Sequence, residues 1–240
     1  MEWRDEGIVL GVRRHGETSV ILETLTRDHG RHLGLVRGGR SRAMQPILQP
    51  GNMVGLVWRA RLDEHLGSFA VEGLALHAAR LLTVRHALFA IGHLTALVRL
   101  LPERDPHPAI HAALATVIDV ADDPAIVPAL VARFEMEILS ELGFGLDLTA
   151  CAATGLNEEL VYVSPKSGRA VSRAAGEPWR DRLLQLPAFL TGAGGAVTPA
   201  DVAAAFRLTG HFLERDVFGP RGLPASQNRE AFLRAVALLD

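Results

Sequence analysis

Arginine is the residue in this chain whose spacing most suggests a task. Between residues 13 and 42 the sequence places Arg13, Arg14, Arg27, Arg31, Arg37, Arg40 and Arg42 against only Glu17, Glu23 and Asp28. Seven cations against three carboxylates is a local balance of +4 in a chain whose overall balance is −2. The planar guanidinium fork matches pairs of phosphate oxygens, so a positive face on a near-neutral chain suits phosphate binding. The choice of cation is uniform as well, since Lys166 is the only lysine. The alternative use of such arginines is to solvate strand edges and keep them from pairing with other chains.

Other chemistry is missing. No phosphate-binding glycine loop of the P-loop type, no dinucleotide fingerprint and no nucleophile elbow occurs. His107 and His111 have i,i+4 spacing that could present two imidazoles to a metal. No third ligand is near, and Pro106 and Pro108 crowd them. His86 and His93, seven apart, read as packed or surface residues. Cys151 is the only cysteine and has no basic neighbour within four residues, so it reads as a small buried side chain rather than a nucleophile. The carboxylates form no evident acid–base pair. No catalytic residue, cofactor or metal is therefore expected, and the chain reads as a binding protein rather than an enzyme.

The elements that hold the arginines follow from periodicity. Residues 7–42 contain three apolar runs of period near two, with β-branched residues and glycine-bearing turns at His15-Gly16 and Asp28-His29-Gly30. They predict a three-stranded meander that empties into the loop from Arg37 to Arg42. In the first run, Ile8, Leu10 and Val12 alternate with Val9, Gly11 and Arg13. Residues 53–61 and 66–74 predict a fourth and a fifth strand. Five short strands in about 70 residues fit a small closed barrel, of which the OB-fold is one form and the SH3-like barrel another.

Composition changes near His77, where the period becomes helical. Leu81, Val84, Leu88, Ile91, Thr95 and Val98 predict one helix face, ended by the prolines from Pro102 to Pro108. A second helix is predicted over 109–121. A third, restarted at Pro124, shows Val127, Leu130, Phe134, Ile138 and Leu142 on one side and Arg133, Glu137 and Glu141 on the other. Residues 146–176 read as an irregular excursion with a strand at 160–164, a turn at Pro165–Gly168 and a strand at 169–172. A helix is predicted over 178–186. A capping box at Thr198 and Asp201 opens a helix carrying Val202, Phe206, Thr209 and Leu213. Ser226 caps a last helix with Phe232, Val236 and Leu239 on its core side. The fold class is α+β: a barrel over 1–76, then a helical domain over 77–240 with the excursion at 147–176.

At 240 residues, 48% hydrophobic and 22% charged, the composition is that of an ordinary folded protein. No apolar run is long enough to span a membrane, the acidic N-terminus lacks a signal-peptide core, and a lone cysteine fits a reducing, cytoplasmic setting.

The order of these pieces resembles the RecO family of bacterial DNA repair proteins over nearly the whole chain. Three stretches carry the likeness. The first is the opening Gly7-Ile-Val-Leu-Gly-Val-Arg-Arg-His-Gly-Glu17, continued by Thr24-Leu-Thr-Arg-Asp-His-Gly30 and Leu35-Val-Arg-Gly-Gly-Arg40. The second runs from Arg133-Phe-Glu-Met-Glu-Ile to Leu148 with Cys151 following, and the third is Val163-Ser-Pro-Lys-Ser-Gly168. The resemblance implies an N-terminal OB-fold, a helical domain, and an excursion that binds zinc in some members. It also implies binding of single- and double-stranded DNA, annealing of complementary strands, a partnership with RecR, contact with the C-terminal tail of the single-strand-binding protein SSB, and a functional link to RecF and to RecA loading at gaps. The zinc form of the family carries C-x-x-C pairs around the turn. Here those positions read Cys151-Ala-Ala-Thr154 and Ser172-Arg-Ala-Ala175, so no zinc is expected, and the excursion is expected to pack around Leu160, Tyr162 and Val171. The DNA residues expected are Arg13, Arg14, Arg31, Arg37, Arg40, Arg42 and Arg59. For the phenylalanine carboxylate that ends the SSB tail, the expected site is Arg133 beside Phe134, Ile138 and Leu142. The competing reading is a protein-binding scaffold whose barrel has little direct DNA role. Aromatic residues are few in the barrel, Trp3, Trp58 and Phe69, so backbone charge rather than base stacking is expected to carry the affinity.

Overall fold

The computed structural model describes residues 1–192, 195–224 and 226–238. The chain divides into two compact units, Met1–Pro124 and Ala125–Asp240. The first unit opens with five strands: β1 (Glu2–His15), β2 (Ser19–Thr26), β3 (Gly30–Val36), β4 (Met53–Arg59) and β5 (Ser68–Ala75). They close into a barrel in the order β1-β2-β3-β5-β4. Every pairing is antiparallel except β3 with β5, which meet in parallel through a single pair, Leu35 and Ser68. This is the closure of an OB-type Greek-key barrel. Its interior is filled by Val9, Val20, Leu22, Val36, Leu56, Trp58 and Phe69.

The first strand departs from strict alternation. Its register with β2 shifts between Val9 and Gly11, and Ile8, Val9 and Leu10 are all buried in succession. A bulge adds a residue and re-aims the strand, so both faces of this short segment find cover. Gly30 shows why its turn requires glycine. Its φ is +66°, and a Cβ there would lie 2.0 Å from the carbonyl oxygen of Asp105.

The helices of the first unit are α1 (Ala78–Leu81), α2 (Arg85–Val98) and α3 (Pro108–Asp119). The single apolar face expected from Leu81 to Val98 is broken. Val84 is extended and resets the helical phase, so Leu82 and Leu88 face solvent while Ala87, Ala90, Ile91, Leu94 and Leu97 form the buried side. The segment after α2 covers the free part of the β3 edge. Glu103 bridges to Arg31 in parallel, and the Arg104 amide donates to the Arg31 carbonyl at 2.8 Å. This edge pairing explains why the compact unit runs to Pro124, although the composition changes at His77. Asn52, wholly buried, ties the barrel to the helices. Its amide group donates to the carbonyls of Pro46 and Ile47, and its oxygen accepts from the Ala78 amide at 2.8 Å.

The second unit contains α4 (Val127–Glu141), β6 (Leu160–Val163), β7 (Ala170–Ser172), α5 (Arg173–Gly176), β8 (Leu184–Gln185), α6 (Pro199–Phe212) and α7 (Gln227–Ala235). The capping box of Thr198 with Asp201 is formed, as is the Ser226 cap, and Val202, Phe206, Thr209 and Leu213 are buried. Phe232 is fully buried and Val236 half-buried, while Leu239 lies outside the described residues. The excursion is a three-stranded sheet in the order β7-β6-β8, not a lone hairpin. Residues 178–186 supply its third strand after a 3₁₀ turn at Glu177–Arg182, where the sequence predicts a helix. Pro178 and Pro187 bracket this stretch, and the edge of β6 offers it pairing partners.

Candidate nucleic-acid interface

The barrel register gathers the arginines at one end. Arg14 stands opposite Val20, and Val20 opposite Val36, so Arg14 shares a cross-strand row with the last residue before Arg37. Arg13 likewise shares a row with Ile21 and Leu35. The loop that follows is drawn to the β1–β2 hairpin tip. The Arg40 amide donates to the Thr18 carbonyl at 3.0 Å, and its guanidinium donates to the carbonyls of Gly16 and Glu17. Gln45 accepts a share of this work by donating to the Arg40 carbonyl at 3.0 Å. Arg40 therefore positions the loop. The side chains of Arg13, Arg14, Arg37 and Arg42 are exposed and have no ion-pair or hydrogen-bond partner among the described residues.

Two expected DNA residues are placed differently. Arg31 is largely buried: its guanidinium meets Glu23 at 2.9 Å and Glu103 at 3.4 Å, and its Nε donates to the Leu101 carbonyl. Arg59 is exposed but bonds Glu2 through Nε at 2.8 Å, and the Arg59 guanidinium holds the Glu2 carboxyl below the usual carboxylate range. Both have their charge met by an acid of the same chain.

Sequence reasoning missed Arg99. Its Nε donates to Glu23 at 2.8 Å and its Nη2 to the Leu10 carbonyl at 2.9 Å, the carbonyl freed by the β1 bulge. The signal was Gly11, a glycine inside a strand, which marks a close approach. A Cβ there would sit 2.6 Å from Arg99 Nη2.

Aromatic rings serve the fold here. Trp58 and Phe69 are buried in the barrel, and Trp3 stacks on His29 at 4.0 Å. His29 in turn bonds Asp5, whose carboxyl also receives the amides of Glu6 and Asp28. His32 packs edge-on to Trp3 and Trp58, and burial pushes its pKa down to about 4.

At the site expected for an SSB tail the apolar side chains face inward. Phe134 and Ile138 are fully buried in the second unit, Leu142 caps α4, and the Arg133 guanidinium donates to the Phe189 carbonyl. The apolar stripe that suggested a pocket is the core side of α4. The same helix buries Glu135, which the sequence reading passed over. Its carboxylate takes two bonds from Arg229, at 2.7 and 3.2 Å, and one from the Thr209 hydroxyl.

In the excursion Val163 and Ala170 are fully buried, Val171 nearly so, and Leu160 and Tyr162 are half-buried. Cys151 is buried and its sulfur accepts the Ser172 amide at 3.2 Å. Burial pushes the thiol up, but hydrogen bonds from Ser172, Thr154 and the Ala153 amide outweigh it, and the pKa falls to about 6. One sulfur with two hydroxyl side chains and the methyl of Ala175 is not a structural zinc donor set, so these residues do not fit that metal. No group of three or more metal-ligating side chains occurs among the described residues, and no described helix is long and apolar enough to cross a membrane.

Comparison with known proteins places the chain. Residues 1–75 match the family described as Recombination protein O N terminal, and residues 83–223 match Recombination protein O C terminal. A protein of Methylobacterium nodulans named DNA repair protein RecO is 62% identical, with 97% of each chain covered. Proteins of the same name from Afipia carboxidovorans and Sinorhizobium medicae are 59% and 58% identical, covering 99% and 98% of this chain and 96% and 94% of theirs. The OB-type barrel with its arginine-bearing end, the helical second unit and these matches together make the chain a member of the recombination protein O family.

Proposed function

We propose that the protein acts in DNA repair and recombination as a mediator that binds DNA and brings complementary strands together. The observation that carries this is the gathering of Arg13, Arg14, Arg37 and Arg42, unpaired, at one end of the barrel, with Arg40 fixing the loop. Cations on a rigid frame neutralise phosphate without reading bases, which suits single- and double-stranded DNA alike. Neutralising two strands on one surface lowers the repulsion that opposes their meeting, and base pairing then drives annealing without a cofactor. In this reading the protein works with RecR, meets SSB on coated gaps and helps RecA load there, in the cytoplasm.

Annealing of two complementary oligonucleotides, one coated with SSB, tests this across a salt series. The expected result is acceleration without ATP or metal that fades as salt rises. Absence of acceleration together with no retention of DNA at low salt would leave the barrel as a protein-binding scaffold.

A further inference from the structure

A cleft of about 500 Å³ opens on the outer face of β1, β4 and β5. Glu6, Gly55 and Glu72 stand there in one cross-strand row. The glycine in the middle adds no side chain, and two strand spacings put the flanking glutamates about 10 Å apart. Val57 and Ala70 continue the floor. Leu74, exposed, forms an apolar wall beside the glycine, since a Cβ on Gly55 would meet it at 3.6 Å. Most other charges of the lining are already met: Arg27 bonds Asp28, and Asp5 bonds His29. That leaves Glu6 and Glu72 against Arg4, and neither glutamate side chain has an ion-pair or hydrogen-bond partner among the described residues.

The β1–β2 hairpin tip has the complementary shape and charge. Every residue from Val12 to Thr18 is exposed, so the tip stands out from the barrel as a two-stranded ribbon. Arg40 stiffens it by donating to the carbonyls of Gly16 and Glu17. The tip carries Arg13 and Arg14 against Glu17, and alternation along β1 puts Val12 and Arg14 on one side of the ribbon. It cannot serve the cleft of its own chain. Arg14 lies eight residues beyond Glu6 on the same strand, about 25 Å along it.

From this fit we infer that the cleft receives the β1–β2 tip of a second copy of this chain, with a guanidinium over Gly55 between Glu6 and Glu72 and Val12 against Leu74. A cation between the two carboxylates replaces their mutual repulsion with two attractions, and its fork suits oxygens on either side. The contact joins unlike surfaces, so every added copy brings a further tip and a further cleft. Such an arrangement does not close on itself, and strings of copies lengthen with concentration. The inference needs only that the arginines of the tip are free, not that they bind DNA. Phosphate held by Arg13 and Arg14 would compete with the neighbour's cleft for the same side chains.

Sedimentation velocity of the full-length chain, without DNA, tests this over a range of protein concentrations. The wild-type mass is expected to rise with concentration at ~0.05 M salt and to return to that of a single chain at ~0.5 M, where charges are screened within a few ångströms. Glu6→Gln with Glu72→Gln should remain a single chain at every concentration, and so should Arg13→Gln with Arg14→Gln. All four side chains are exposed, so neither double change threatens the fold. The first variant keeps its tip and the second keeps its cleft. Mixed in equal amounts they should form a species of twice the single-chain mass and nothing larger. A wild type that stays a single chain at low salt overturns the inference. So does association that survives either pair of glutamine changes, and so does a mixture that stays single-chain where the wild type associates.

Discussion

Arginine does opposite work in the two units. In the second, Arg229 is largely buried and bonds Glu135, the Phe206 carbonyl and the face of the Phe206 ring. In the first, Arg13, Arg14, Arg37 and Arg42 stand in water with nothing of their own chain to hold. A buried guanidinium must be met on every side, because leaving either partner unpaired in a low-dielectric interior is costly. A solvated one loses little by waiting for phosphate. Burial and partnership, not residue type, separate the structural arginines from the available ones, and by that standard Arg31 belongs with Arg229.

The largest effect should come from breaking the buried pair. Arg229→Met removes both guanidinium bonds from the buried Glu135 carboxylate, and the second unit should lose about 3 kcal/mol in urea unfolding. A loss under about 0.5 kcal/mol would remove the contrast between the two kinds of arginine. The next effect is pH-dependent and belongs to the first unit. His32 has a folded pKa of about 4, below the ordinary value near 6.5, so the unfolded chain takes up its proton first as pH falls. Stability should therefore decline from about pH 6.5 toward pH 4, and His32→Gln should flatten that decline in thermal unfolding. An unchanged slope would show that the aromatic cluster does not control it.

Smaller again in free energy, and invisible to unfolding, is the paired variant Arg37→Gln with Arg42→Gln. The slope of log affinity against log salt should fall by about 2, one for each lost phosphate contact. Arg59→Gln sharpens the comparison at the low end. Its solvent-screened bond to Glu2 contributes little to stability, and the salt slope should stay unchanged. An equal fall for Arg59→Gln would show that an ion pair does not withdraw an exposed arginine from DNA.

The sequence revealed whatever repeats at short range. Period-two runs placed the five strands, Gly16 and Gly30 placed the hairpin turns, and Thr198, Asp201 and Ser226 placed two helix starts. It did not reveal what depends on distant partners. Nothing near Arg31 tells that Glu103 will meet it, and nothing near Arg99 tells that a bulge will free the Leu10 carbonyl for it. The stripe on α4 was legible as apolar but not as core, because a helix packed inside its unit and one lining a groove share the same period. β8 was lost for a similar reason: two residues become a strand only because β6 presents an edge.

A barrel end whose free cations are all arginines has a regulatory consequence under the proposed reading. Lysine acetylation, which removes a charge, has one side chain to act on in this chain, Lys166, exposed in the turn between β6 and β7. The barrel end, whose free cations are arginines, is out of reach of that chemistry. On the proposed DNA-binding reading, its hold on phosphate would be loosened by competing anions or by another protein covering it, but not by the acyl-transfer reactions that silence lysine-rich nucleic-acid surfaces.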